Sequence, residues 1–214
     1  MSKEVAGAVV VIGIGGLVAL TLWLRLRAKP LDRRALKMAC SKLGGRLATP
    51  ERGTVGFIAE LPFRDNTFLG AVHFTPAMGA WISSSSVEIE VGEGLPPFSV
   101  FASSNVGDLG RLSKDRRFRR LRLEAEDRAA VRALWSESAL EKMAQLVDPR
   151  EIREGWLRAL SGEVKCDGSK LIFGRTPAFR RPESYELVLE LLAELLDAAK
   201  SSSNRSDAPA IPGQ

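Results

Sequence analysis

The chain has 214 residues, 45% hydrophobic and 27% charged, with a formal net charge of +5. That length can bury a core of its own, and a single histidine with two cysteines excludes a zinc centre of the thiolate–imidazole kind. The charge is uneven: Arg25 to Arg46 holds eight bases against Asp32 alone, while the stretch from Leu47 onward holds 22 bases and 24 acids, which argues against nucleic acid as the main partner, because a dedicated binder concentrates positive charge on its folded domain.

Val5 to Leu24 reads VAGAVVVIGIGGLVALTLWL, without a charge, an amide or a proline. As a helix it would measure about 30 Å, the thickness of a bilayer's hydrocarbon core, and it is predicted to be a single transmembrane helix. A cleaved signal peptide would have a shorter apolar run of about 7 to 15 residues ending in a small-x-small site; this one ends in Leu22-Trp23-Leu24-Arg25. Val9 to Gly16 looks like a strand entering a dinucleotide-binding turn, but Val18 stands where the third glycine belongs, and no strand ending in an acid follows. Only Lys3, beside Glu4, precedes the run, whereas Arg25, Arg27, Lys29, Arg33, Arg34 and Lys37 follow it. The positive-inside bias therefore places the N-terminus outside and the soluble part in the cytoplasm, at the inner (plasma) membrane. Those six bases are the expected contacts for anionic lipid headgroups, each contributing about 1 kcal/mol of attraction.

Pro30 to Leu43 reads as an amphipathic helix with Leu31, Ala35, Met38, Ala39 and Leu43 on one face, stopped by Gly44 and Gly45. It either lies on the inner leaflet or packs on the domain. Strands are expected over Val55–Phe63, Gly70–Thr75, Ala80–Val91 and Phe98–Ser103, and again over Phe118–Leu123. The cleanest alternation is Ser86 to Val91, with Val87, Ile89 and Val91 inward and Glu88 and Glu90 outward. Glu126 to Ala144 has helical composition with a break near Ser136 to Ser138, and Asp148-Pro149 signals the start of another helix through Leu160. Asp167-Gly168 can supply the positive-φ turn of a two-residue hairpin. A final helix is expected from about Glu183 to Lys200, with Tyr185, Val188, Leu189, Leu192, Leu195, Leu196 and Ala199 on its apolar face.

These elements imply an α+β protein in which a single N-terminal transmembrane helix precedes one domain. That domain is a mainly antiparallel sheet of about five to seven strands covered by helices. The divisions are 1–29, anchor and basic flank; 30–46, juxtamembrane helix; 47–201, cytoplasmic domain; and 202–214, a disordered tail. The span, the Leu43-Gly44-Gly45-Arg46 stop, Asp115-Arg116-Arg117-Phe118 ahead of a strand and helix, the Val164–Phe173 hairpin and the leucine-rich last helix together resemble membrane-associated bacterial proteins grouped under domains of unknown function. The resemblance implies a bacterial membrane location and no known activity, and it carries no functional residues across.

No catalytic motif is present and no cofactor is implied. Gly162 to Lys170 has the wrong spacing and Ser-Lys order for a phosphate loop. His73 reads as a structural or solvent-facing residue and Ser83 to Ser86 as a polar strand. Cys166 reads as a small hydrophobe, a redox role requiring a second thiol such as Cys40. One cluster stands out: Arg111, Lys114, Arg116, Arg117, Arg119, Arg120 and Arg122 lie within a dozen residues. It suits anionic lipid, an acidic partner or RNA, or else a solvated surface balanced by Glu124, Glu126 and Asp127. The leading expectation is a membrane-tethered, non-enzymatic interaction or scaffold domain with a protein partner. The alternatives are a membrane-anchored enzyme using carboxylates or a cofactor, and a peripheral binder of anionic lipid or nucleic acid through Arg111 to Arg122.

Overall fold

The computed structural model describes residues 33–48, 56–77, 80–92, 95–102, 118, 121–147 and 162–206. The apolar run Val5–Leu24, the expected helix after Pro149 and residues 207–214 lie outside them. In chain order the elements are α1 (33–42), β1 (Arg46–Ala48), β2 (Gly56–Phe63), β3 (Asn66–Ala77), β4 (Ala80–Glu90), β5 (Phe98–Ala102), β6 (Leu121–Ala125), α2 (Arg128–Leu134), α3 (Glu137–Leu146), β7 (Glu163–Cys166), β8 (Lys170–Arg175) and α4 (Pro182–Ser206).

All eight strands join one antiparallel sheet in the order β1-β2-β3-β4-β8-β7-β5-β6. Among the described residues eight strands exceed the expected five to seven, because the short β1, paired through Arg46↔Glu60, had no counterpart in the sequence pattern. The β1–β4 meander follows chain order. The chain then skips two strand positions to build β5 and β6, and the hairpin fills the gap.

Alternation divides the sheet into two faces. Ala59, Leu61, Phe68, Val72, Val87, Leu171, Phe173, Val164, Val100 and Leu123 are buried on the face the helices cover. Val87, Leu121 and Leu123 point inward as the sequence pattern requires. The helices bring their own apolar faces to this layer: Leu36 and Ala39 of α1, Leu140 and Met143 of α3, and Tyr185, Val188, Leu189, Leu192, Leu195 and Leu196 of α4. At about 2 kcal/mol for each large apolar side chain buried, this layer is the main source of stability.

Helix α1 belongs to the domain core, which settles the two arrangements left open for it. Its buried face is Ala35, Leu36, Ala39 and Cys40, whereas Met38, expected inside, is 48% exposed. The face is turned because Arg33 holds its guanidinium against the rings of Phe57 and Phe74. Gly45 then lets β1 start close to β2: a Cβ there would stand 2.1 Å from the Glu60 carbonyl oxygen.

The helical stretch after β6 breaks at Trp135-Ser136, close to the expected place. Asp127 Oδ1 accepts from the amides of Ala129 (3.1 Å) and Ala130 (3.0 Å) to cap α2, and Ser136 Oγ accepts from Ala139 N (3.0 Å) to cap α3. Between β7 and β8 the positive φ falls on Gly168 (96°). Asp167 Oδ1 accepts from Ser169 N (2.9 Å), Ser169 Oγ (2.9 Å) and Lys170 N (2.7 Å). The two-residue loop is thus Gly168-Ser169, one position later than the pattern suggested, with Asp167 closing it. Helix α4 runs on to Ser206, past the expected end at Lys200.

Candidate functional site

One end of the sheet collects several cations. Phe57 of β2, Val72 of β3, Ser85 of β4 and Arg175 of β8 are cross-strand neighbours in a single row. Arg175 thus lies three strand spacings, about 14 Å, from Phe57. Arg33 holds its guanidinium 4.2 Å from the Phe57 ring centroid and 5.3 Å from that of Phe74. The start of α1 and Arg175 therefore share one end of the sheet. Arg34 and Lys37 are exposed beside them, with Lys37 Nζ 5.9 Å from the Phe57 ring.

The chain leaving β8 crosses this same end. Ala178 N donates to the Ser83 carbonyl (3.1 Å) and Phe179 N donates to Ser85 Oγ (3.3 Å), which gives the buried Ser85 its partner. The Phe179 ring stacks on Phe173 at 5.8 Å and meets Tyr185 edge-on at 5.2 Å. Arg175 Nη1 donates to the Leu146 carbonyl at 2.5 Å, at the C-terminal end of α3, where a cation is favoured. Its guanidinium lies 5.5 Å from the Phe179 ring. Between this strap and the start of α4 lies a cleft of about 300 Å³. Arg175, Arg180, Arg181 and Ser184 form its polar walls over Pro177 and Phe179.

A second polar constellation joins α3 to α4. Lys142 Nζ donates to Ser138 Oγ (2.6 Å) and to Glu194 Oε2 (2.9 Å), and Glu194 also accepts from Ser136 Oγ and from Ser138 Oγ (3.2 Å). Burial pushes the Glu194 carboxyl up, but the hydrogen bonds from Ser136 and Lys142 outweigh it and hold it below the usual carboxylate range. A lysine that donates to both serine and carboxylate clamps two helices; it is not arranged to take the serine's proton.

The two thiols are buried and far apart. Cys40 rests under β2, its Sγ 3.9 Å from the Glu60 carbonyl, and Cys166 lies on β7. Strands β2 and β7 are four positions apart in the sheet, about 19 Å, so no disulfide can join them. Burial raises both thiol pKa values, and the charge of Glu60 adds to the rise at Cys40. His73 sits on the sheet face opposite the helices, between Gly56 and Ser84.

Of the bases singled out from sequence, Arg33, Arg34 and Lys37 lie on α1, whereas Arg25, Arg27, Lys29, Arg116, Arg117, Arg119 and Arg120 are outside the described residues. Arg122 of β6 pairs with Glu124 at 3.6 Å and, as the partner of Phe101, points to the face away from the cleft's strap. Arg175, Arg180 and Arg181 went unmarked in the sequence. Their only local sign is a run of arginines around Pro177, between a strand end and the Pro182-Glu183 helix start. No family model, curated protein or solved structure matches the chain.

Proposed function

We propose that the chain is a membrane-tethered interaction domain that binds a partner rather than transforming a substrate. The observation that carries this reading is the placement of α1. The helix that follows the apolar run is part of the domain core, with Leu36 and Ala39 buried, so only residues 25–32 separate Val5–Leu24 from the folded part. A segment that short spans at most about 30 Å fully extended, and far less if helical. The basic end of the sheet is thereby kept next to the leaflet, with the N-terminus outside and the domain cytoplasmic. Among the described residues no helix is long and apolar enough to cross a membrane, and Val5–Leu24 is not among them.

The sheet face away from the helices is the surface offered to the partner. Leu69 is 41% and Ile82 40% exposed on it, and Ile58 and Ile172 are half-buried alongside. Three ion pairs offset much of its charge: Arg46 with Glu60 at 2.9 Å, Lys170 with Glu88 at 3.1 Å and Arg122 with Glu124. A face whose charges largely cancel selects an apolar protein surface over an ionic one. Ser136, Ser138, Lys142 and Glu194 are meanwhile engaged in a helix cap and the α3–α4 clamp, and Asp167 in a turn.

The test uses the full chain in its native membranes. A photo-crosslinking side chain at Ile82 is expected to yield one adduct of discrete mass, lost when Leu69→Asp is added, whereas the same group at Lys200 yields none. Adducts that ignore Leu69→Asp, or a chain recovered outside the membrane fraction, would overturn the reading. A reporter fused after Gln214 checks orientation: activity restricted to the extracytoplasmic side contradicts it.

A further inference from the structure

We propose that the cleft between Arg175, Arg180 and Arg181 is a binding site for a phosphomonoester group. Three guanidinium groups, those of Arg175, Arg180 and Arg181, converge on it, and Ser184 adds a hydroxyl. Guanidinium forks match phosphate oxygens in pairs, which makes arginine the residue of choice for such a ligand. Arg175 is positioned in advance: one nitrogen is held by the Leu146 carbonyl and the plane lies near the Phe179 ring. That restraint reduces the ordering cost of capturing an anion. The 25-residue helix α4 begins at the cleft wall and adds the positive end of its dipole. The cleft's 300 Å³ admits a phosphorylated head but not a large ligand.

The position of the cleft supplies an independent argument. Arg175 stands in the same cross-sheet row as Phe57, on which Arg33 of α1 rests. The cleft therefore lies at the end of the sheet where α1 begins. If the tether lies in a bilayer, the cleft is held at headgroup depth, where lipid phosphomonoesters are concentrated. Phosphate binding itself does not depend on the tether; only the lipid source rests on that reading. A phosphomonoester becomes a dianion as pH rises through about 6, so affinity should increase across that range.

The experiment uses the full chain in neutral detergent micelles, with inorganic phosphate and short-chain phosphatidic acid as the two probes, each followed by phosphorus NMR. Saturable binding is expected, falling tenfold or more, about 1.4 kcal/mol, in Arg180→Gln/Arg181→Gln. Lys165→Gln/Lys200→Gln removes the same charge from exposed sites elsewhere and should leave affinity unchanged. Ser184→Glu offers a second test that keeps every arginine: it places a carboxylate in the cleft at a helix start that tolerates one, and should abolish binding. Phosphatidic acid binding tenfold or more tighter identifies a leaflet lipid as the source; equal affinities identify a soluble phosphate. Failure of both probes to saturate, or equal losses in the two double variants, overturns the site. Membrane fractionation of the same variants reads the tether separately, because none of these substitutions touches Val5–Leu24.

Discussion

Arg33 stands over Phe57, its guanidinium 4.2 Å from the ring centroid, so a base from the run after the apolar segment is used to fasten a helix to a sheet. Phe74 flanks the same group at 5.3 Å. The neighbouring Arg34 is exposed. The two arginines should therefore separate. Arg33→Ala is expected to lower stability by about 1 kcal/mol through the lost cation–ring contact and packing. Arg34→Ala should leave stability unchanged within about 0.5 kcal/mol. Denaturant titration of both variants checks this, and equal midpoints would contradict the assignment.

Gly45 admits no side chain without movement. A Cβ would meet the Glu60 carbonyl oxygen at 2.1 Å and Cys40 Sγ at 3.2 Å. Gly45→Ala should push β1 from β2 and cost about 2 kcal/mol. Hydrogen exchange should quicken at the β1–β2 amides while those of β7 and β8 stay protected.

Asp167 gives the fold a dependence on acid. The amides of Ser169 and Lys170, then the Ser169 hydroxyl, hold its carboxyl down to about 2 from an ordinary value of 3.8. A carboxyl whose folded pKa is depressed stabilises the fold fully above the unfolded value, and the benefit is lost as pH falls toward the folded one. Wild type should therefore exceed Asp167→Asn in stability at about pH 6, and the gap should narrow at about pH 3. A gap that is constant or widens on acidification would refute the assignment.

Glu194 ties α4 to α3 through Lys142, Ser136 and Ser138. Glu194→Gln removes the charge but keeps the shape, and should cost about 1 kcal/mol. The thermal midpoint should then fall by about 2–4 °C. Adding Lys142→Met should recover part of the loss, because the lysine no longer stands beside an uncharged amide. A double variant whose loss equals the sum of the singles would show that the two do not act as a pair.

The legible parts of the fold were those encoded within a few residues. The Val87–Ile89 alternation, the break beside Ser136, the β7–β8 turn to within one residue and the leucine face of α4 each follow from a local period or a capping residue. The buried face of α1 was harder, because Arg33 uses its length to cover aromatic rings and so shifts Met38 outward. The strand order could not be read at all: Val87 pairs with Phe173, and nothing in either segment names the other. The cleft was hidden for the same reason. The sheet's register sets Arg175 at the end of the sheet where α1 begins, and the spacing of Arg175, Arg180 and Arg181 in sequence has no period that marks a site.

The placement of β7 and β8 between β4 and β5 has a consequence for synthesis. Until residues 163–175 leave the ribosome, the first six strands are two separate ribbons, with the edges of β4 and β5 both unpaired. Two raw edges on one nascent chain invite pairing with the wrong neighbour, and a chain captured early by a membrane would wait there with both exposed. The hairpin acts as the keystone of the sheet. A ribosome stalled just short of it should leave a protease-sensitive chain prone to clumping, although three-quarters of the sequence has already been made.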